Sequence, residues 1–261
     1  MSNRVHLIHV SIPMIEPFRI SSGEVKEKES ILIVIERDGI TAFGEASPMS
    51  GAFYSSETPQ STWDFLVERA IPALIEKKQF RPEFVSEMVE TEMSEPFAWA
   101  GLEGALWDLM VQVENTTFMD TLGVYPHPIQ SGLAVGIYPT IPELVDACKR
   151  YLIDGYKRLK IKIQPGWDIE PLKAVREAFG DIPLMVDANA AYTEDHFPVF
   201  DEIDKVGLMM IEQPLAKMNW EGLSKLQARI STPICIDESA HDEDAVKCCI
   251  DMQACRIVNI K

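Results

Sequence analysis

The segment RLKIKI, Arg158–Ile163, is the first of five short apolar stretches that each carry an ionisable residue near their end. The other four stretches are LMVD, LMMIE, CID and RIVNIK, which end at Asp187, Glu212, Asp237 and Lys261. Counted from Lys162, the intervals between these residues are 25, 25, 25 and 24. Intervals of this length fit a βα unit, in which a buried strand alternates with a helix. The repeat therefore predicts one ionisable group at the same level on five successive parallel strands.

The two lysines of the first stretch are predicted to lie on the interior face of the sheet. Residues two apart in a strand share a face, so Lys160 and Lys162 lie together, and the intervening aliphatic residues take the face that helices cover. A single acidic residue after a strand is usually a helix cap or a loop residue. Five ionisable groups in register favour a site instead, because parallel α/β proteins place their sites at the carboxyl ends of the strands.

The second half of the chain, residues 126–261, is predicted to form a partial parallel (β/α) barrel that is truncated after its sixth strand. The strands are predicted at Gly132–Ile137, Arg158–Ile163, Leu184–Asp187, Leu208–Glu212, Ile234–Asp237 and Arg256–Lys261. Helices are predicted between them, at Ile141–Leu152, Asp168–Phe179, Glu194–Lys205, Trp220–Ile230 and Glu243–Met252.

The first half, residues 1–125, is predicted to be an α+β capping domain. Three strands are predicted at Val5–Ile12, Ser30–Arg37 and Ile40–Glu45, with Asp38-Gly39 as the hairpin signal between the last two. Helices are predicted at Ser61–Glu76, Glu83–Met93 and Phe97–Val113. A meander of strands followed by helices is typical of the α+β class.

Composition and charge exclude several classes of protein. The 261 residues carry 24 Lys and Arg against 41 Asp and Glu, a net charge of −17, which argues against a nucleic-acid partner. There is no apolar run of the length that crosses a membrane, and we expect no membrane association. The five cysteines are an odd number without a CxxC pair, which argues against disulfides and zinc fingers and favours a cytoplasmic location.

The residue types at the predicted site indicate metal-assisted proton abstraction. Three carboxylates without a neighbouring His or Cys suit Mg²⁺ better than Zn²⁺, and Mn²⁺ is an alternative ion. A lysine beside a cation and a second lysine has its neutral form favoured, so it can act as a general base. A metal and a base together point to removal of a proton next to a carboxylate, with the metal stabilising the enediolate that forms.

These motifs resemble the enolase superfamily, in its branch related to muconate cycloisomerase. The resemblance is carried by Lys160-Ile161-Lys162, Val186-Asp187-Ala188-Asn189, Ile211-Glu212-Gln213-Pro214, Asp237-Glu238-Ser239 and Asn259-Ile260-Lys261. Stretches of the first half are most similar to the group of o-succinylbenzoate synthases and N-succinylamino acid racemases: Pro17–Gly23, Phe43–Met49, Tyr54–Thr58 and Gly101–Leu109.

The resemblance implies a role for each predicted site residue. Three acidic residues would be the Mg²⁺ ligands: Asp187, Glu212 and Asp237. Lys162 would be the base, and Lys261 the opposing lysine that stabilises the enediolate or delivers a proton to the other face. Lys160 and Asn189 would support the base, the metal or the substrate carboxylate. Loops of the capping domain that contain Ile20, Gly23 and Tyr54 would close over the substrate.

The activity that the resemblance implies is that of a carbon–oxygen lyase, o-succinylbenzoate synthase of menaquinone biosynthesis. Alternatives are an N-succinylamino acid racemase, a dipeptide epimerase or a cycloisomerase of the same branch. The alternative without activity is an inactive barrel fragment or a binding module. We expect a small-molecule carboxylate substrate and a homo-oligomer. Because six predicted strands are fewer than the eight of a complete barrel, we also expect a longer protein, and the resemblance implies a length of ~350–380 residues.

Overall fold

The computed structural model describes residues 3–50, 55–91 and 94–260, which form two compact units. The first unit comprises Met1–Pro17 and Val25–Pro128, and the second comprises Phe18–Glu24 and Ile129–Lys261. The sequence-based division at residues 125 and 126 did not assign Phe18–Glu24 to the second unit, and it stays a prediction. Among the described residues, no helix has the length and apolar character needed to cross a membrane.

Three strands form an antiparallel sheet in the order β1-β2-β3. They are β1 (Asn3–Ile20), β2 (Gly23–Arg37) and β3 (Ile40–Ala46). The register of β2 and β3 runs from Ile31 opposite Ala46 to Arg37 opposite Ile40. Asp38 and Gly39 join these strands with φ angles of 50° and 86°, as expected for the left-handed residues of a tight hairpin.

The helices of the first unit follow its sheet in sequence. They are α1 (Pro59–Phe65), a wider helical segment (Leu66–Ala70), α2 (Ile71–Lys77), α3 (Glu83–Val89), α4 (Pro96–Val113) and α5 (Phe118–Leu122). The short helix α5 was not predicted. The predicted helix Glu83–Met93 ends at Val89, and its final residue lies outside the described residues.

Two glycines allow α4 to lie directly against β3. A Cβ atom on Gly44 would stand 2.1 Å from the carbonyl oxygen of Gly101, and one on Gly101 would stand 2.6 Å from the nitrogen of Ala46. Both distances are impossible for a real side chain, so only glycine permits this approach. It closes a core made of aliphatic and aromatic residues, which include Ile31, Ile33, Ile35, Trp99, Leu102, Leu106 and Leu109.

The second unit contains six parallel strands in sequential order. They are β4 (Gly132–Val135), β5 (Arg158–Lys162), β6 (Leu184–Asp187), β7 (Ile211–Glu212), β8 (Ile234–Ile236) and β9 (Ile257–Val258). The helices are α6 (Ile141–Ile153), α7 (Ile169–Phe179), α8 (Phe197–Ile203), α9 (Trp220–Arg229) and α10 (Glu243–Asp251). Short 3₁₀ segments, Glu194–His196 and Asp204–Val206, flank α8. The predicted fold class is thereby confirmed.

The two faces of β5 differ as the sequence pattern predicted. Leu159, Ile161 and Ile163 are fully or almost fully buried in the cluster that also contains the helical residues Leu144 and Leu172. The lysines alternate with them and take the opposite face. The predicted strand Leu208–Glu212 is shorter in the structure, where β7 has two residues.

Candidate active site

Two lysines, two acidic residues and an asparagine form a network at the carboxyl ends of β5, β6 and β7. Lys162 Nζ donates hydrogen bonds to Asp187 Oδ2 and to Asn189 Oδ1, each at 2.7 Å. Lys160 Nζ donates to the two carboxylate oxygens of Glu212 at 2.9 and 3.1 Å, and it lies 3.1 Å from Asp187 Oδ2. These side chains are close together because of the strand register, in which Lys162 is opposite Asp187 and Asp187 is opposite Glu212.

The pKa values of these groups report a crowded, buried set of charges. Burial alone would lower the pKa of Lys160, but Asp187 and Glu212 raise it above the usual value. Burial also acts to raise the pKa of Asp187, and the two lysines more than offset it, so this pKa is lowered. The pKa of Glu212 is raised, first by burial and then by the charge of Asp187, which Lys160 does not offset. Burial is therefore the main reason that the charged form of Glu212 is disfavoured.

Asn189 connects the lysine network to a fourth carboxylate. Its backbone nitrogen donates to Asp187 Oδ1 at 3.0 Å, and its Nδ2 donates to Glu238 Oε1 at 3.0 Å. The residue has a φ of 43°, so a left-handed turn brings its side chain back toward the strand end. The other oxygen of this carboxylate, Glu238 Oε2, is buried without a hydrogen-bond partner within the described part of the chain. The sequence had assigned Glu238 no role.

The third predicted ligand, Asp237, follows β8 and is 8% exposed. Its Oδ1 accepts a hydrogen bond from Asn259 Nδ2 at 3.1 Å, and Asn259 follows β9. Asn259 also stands in the motif that precedes Lys261, but the sequence gave no reason to assign it a contact with Asp237. Five consecutive strands, β5 to β9, thus supply polar side chains at their carboxyl ends.

The charge balance of this group fits a hard divalent cation. Four carboxylates, those of Asp187, Glu212, Asp237 and Glu238, lie at these strand ends together with the side chains of Lys160 and Lys162. Buried polar atoms usually have a partner, and Glu238 Oε2 has none within the described ranges, so a bound cation could fill this position. Oxygen ligands without His or Cys are those that Mg²⁺ prefers. As the side chains stand, no three Asp, Glu, His or Cys residues of the described ranges converge on one point.

A cavity of about 450 Å³ adjoins the network on the lysine face of the sheet. Its lining runs along this face from Gly132 and Arg158, at the amino ends of β4 and β5, past Met185 and Met210 to Lys160 and Glu212 of the network. Neither methionine was predicted from the sequence to lie near the site.

The predicted capping-loop residues are placed differently. Ile20 is buried at the end of β1, and Gly23 begins β2, so the expected loop is a two-residue turn, Ser21–Ser22. Ser21 and Ser22 line a second cavity of about 410 Å³ with Asn189. Tyr54 and Lys261 lie outside the described residues.

Comparison with known domains covers both halves of the chain. Residues 3–123 match the mandelate racemase / muconate lactonizing enzyme N-terminal domain. Residues 143–261 match the enolase C-terminal domain-like family. The predicted resemblance is thereby confirmed on both halves.

Similar proteins include o-succinylbenzoate synthases and N-succinylamino acid racemases. An o-succinylbenzoate synthase of Geobacillus kaustophilus is 39% identical over 258 residues, a match that covers 98% of this chain and 69% of that protein. An N-succinylamino acid racemase of Amycolatopsis sp. is 38% identical, with coverage of 98% of this chain and 70% of that protein.

The fold is also that of a solved structure with bound metal. The dipeptide epimerase of Enterococcus faecalis, complexed with Mg and the dipeptide L-Leu-L-Tyr, is 28% identical and superposes with a TM-score of 0.86. The match covers 98% of this chain and 73% of that one. With both domain families matched and relatives at this level of identity, the chain belongs to the enolase superfamily.

Proposed function

We propose that this chain carries the active site of a Mg²⁺-dependent carbon–oxygen lyase, an o-succinylbenzoate synthase of menaquinone biosynthesis. The observation that carries the proposal is the pairing of Lys160 and Lys162 with Asp187 and Glu212 at adjacent strand ends. The o-succinylbenzoate synthase relative at 39% identity supports the choice of substrate, a cyclohexadiene carboxylate bearing a succinyl group.

Lys162 is the proposed base. In its neutral form, Nζ removes the proton next to the substrate carboxylate and becomes an ammonium group, which Asp187 Oδ2 and Asn189 Oδ1 can hold in place. The same Nζ then returns the proton to the departing hydroxyl on the same face, so that the C–O bond breaks and water leaves. One lysine thus balances both proton transfers.

Asp187, Glu212 and Asp237 are the proposed ligands of Mg²⁺, for which Mn²⁺ is a substitute. When bound, the ion supplies positive charge for the substrate carboxylate, on which negative charge grows as the proton leaves. Lys160 places a second positive charge beside the same carboxylates. Such local charge is needed because a protein of net charge −17 otherwise repels an anionic substrate.

A second candidate is N-succinylamino acid racemase, favoured by the relative at 38% identity. It uses Lys162 on one face of the substrate and Lys261 on the other as two bases. In the lyase, Lys261 instead stabilises the negative charge. A dipeptide epimerase is the third member of this branch to be considered, because the protein of Enterococcus faecalis has the same fold.

One pair of assays tests these candidates. The chain is incubated with Mg²⁺ in D₂O with each enantiomer of N-succinylphenylalanine, and exchange at the α-carbon is followed by NMR. Dehydration of the synthase substrate is followed in parallel by absorbance. Dehydration without exchange supports the lyase alone, and exchange of both enantiomers supports the racemase. Failure of both reactions contradicts both proposals and favours the binding module.

Ile20, Gly23 and Tyr54 are proposed to border the substrate. The protein is proposed to be cytoplasmic and homo-oligomeric. Light scattering coupled to gel filtration tests the second point, since a mass equal to that of one chain contradicts it.

A further inference from the structure

Gln213 follows the ligand candidate Glu212 and is completely buried. Its φ is 36°, a left-handed conformation that residues other than glycine rarely adopt. Such a conformation is maintained only when surrounding contacts determine it. The mechanism proposed above gives this buried residue no part.

The side-chain amide of Gln213 uses its full hydrogen-bonding capacity. Its Oε1 accepts from the backbone nitrogens of Asp237 and Ser239, each at 3.1 Å. Its Nε2 donates to Ser239 Oγ at 2.8 Å and to the carbonyl oxygen of Leu215 at 2.9 Å. Two acceptor and two donor interactions satisfy a side-chain amide completely. The amide therefore fixes the backbone on both sides of Glu238.

The backbone of Gln213 makes two further connections. Its nitrogen donates to the carbonyl oxygen of Cys235 in β8, at 2.8 Å. Its carbonyl oxygen accepts from the nitrogen of Ala190, beyond the end of β6, also at 2.8 Å. One residue thus joins the ends of β6, β7 and β8, which carry Asp187, Glu212 and Asp237.

We propose that Gln213 is the positioning residue of the metal centre, which sets the relative placement of the three carboxylates without binding the ion itself. The inference rests on the proposed function, since it assumes that these carboxylates bind Mg²⁺. The physical reason is that a divalent cation needs its oxygen ligands at defined separations. Residues that orient metal ligands typically account for about 10–100-fold in metal affinity.

Gln227 provides a matched control. It is also a buried glutamine, 5% exposed, and it also bonds to backbone through both ends of its amide. Its Nε2 donates to the carbonyl oxygen of Thr232 at 3.2 Å, and its Oε1 accepts from the nitrogen of Ile234 at 2.7 Å. These contacts lie at the amino end of β8, the opposite end from Asp237.

The test compares Gln213→Met with Gln227→Met. The Kd for Mg²⁺ is measured by calorimetry on the wild type and on both variants, and urea unfolding verifies that each is folded. We expect Gln213→Met to raise the Kd about 10–100-fold. Gln227→Met is expected to lower stability while leaving the Kd within about 2-fold of the wild type, because its contacts are remote from the carboxylates.

Gln213→Asn is the second variant should Gln213→Met not fold, because the shorter amide stays polar but cannot reach both backbone nitrogens. A folded Gln213 variant that binds Mg²⁺ as the wild type does overturns the inference and leaves the proposed function intact. An equal rise in the Kd for Mg²⁺ in the Gln213 and Gln227 variants also overturns the inference, because a general loss of stability would then explain the effect. A wild type that binds no Mg²⁺ instead overturns the proposed metal centre.

Discussion

The two ends of the parallel sheet use charged side chains in opposite ways. At the carboxyl ends, charged side chains contact one another, as Lys162 contacts Asp187 and Lys160 contacts Glu212. At the amino ends, Arg176 and Asp204 bond mainly to backbone groups of the loops that enter the strands. Side-chain partners can rearrange when a metal or substrate binds, whereas backbone partners are fixed by the fold. The carboxyl ends are therefore suited to chemistry and the amino ends to stability.

The contacts at the amino ends are numerous. Arg176 donates to the carbonyl oxygens of four residues in two loops, at 2.8 to 3.1 Å: Gly180, Ile182, Val206 and Gly207. Asp204 accepts from the backbone nitrogens of Ser231 at 3.0 Å and Thr232 at 2.7 Å, and from both hydroxyls. These two residues connect the loops before β6, β7 and β8.

The largest expected effect is that of Lys162→Ala at the carboxyl end. Loss of the base should lower kcat for the dehydration by about 10²–10⁴-fold, the usual contribution of a general acid–base group. The Kd for Mg²⁺ should change much less, because Lys162 bonds to only one of the three proposed ligands, Asp187, and its loss leaves the backbone that carries all three in place. The exposed Lys173 of α7 supplies the control, Lys173→Ala, which should have normal kcat. Full activity in Lys162→Ala would contradict the mechanism.

Arg176→Met tests the amino end and should have the next largest effect. It removes a charged donor from four carbonyl oxygens, some of them partly buried, so the free energy of unfolding should fall by about 2–3 kcal/mol. Urea unfolding measures this loss. Calorimetry should give an unchanged Kd for Mg²⁺, since the site lies at the other end of the strands. A higher Kd for Mg²⁺ with an unchanged free energy of unfolding would contradict the distinction between carboxyl ends that bind metal and amino ends that stabilise the fold.

Asp204→Asn should cost less, about 1–2 kcal/mol at neutral pH, because Asn keeps one of the two acceptor oxygens. Burial alone would raise the pKa of Asp204, but the donors of Ser231 and Thr232 hold this pKa below its ordinary value. A lowered pKa stabilises the fold above the unfolded pKa of about 3.9, and this stability is lost as pH falls through the folded pKa. The difference in unfolding free energy between wild type and variant should therefore shrink below about pH 4. A difference that is constant from pH 7 to pH 3 would contradict this account.

The sequence predicted the carboxyl-end residues because the strand period is a local property. The alternation of Lys160 and Lys162 with aliphatic residues, and the regular intervals to Asp187 and Glu212, need no knowledge of distant contacts. The carboxylate of Glu238 was missed because it follows the predicted strand Ile234–Asp237, at a position where an acidic residue is usually a loop residue. Gln213 was missed because its significance is its hydrogen bonds, which the sequence does not display.

The first strand is longer in the structure than its sequence pattern indicated. The predicted strand Val5–Ile12 ends just before Pro13, a residue that cannot donate to a sheet ladder. The structure continues β1 through Pro13 and Pro17 to Ile20. β1 is at the edge of its sheet, where one side of the backbone needs no partner and proline is tolerated. Which strand is at an edge is decided by the sheet as a whole.

By itself, the sequence determined the βα repeat, the face of β5 that bears the lysines and the residue types at the strand ends. These follow from periods of two residues within a strand and of about one βα unit along the chain. Only the tertiary structure decided which groups meet, such as Lys162 with Asp187, 25 residues away, and Lys160 with Glu212, 52 residues away. Those pairings depend on strand register. The contacts of Asn189 and Gln213 depend in addition on left-handed turns, which these residues adopt only because surrounding contacts determine them.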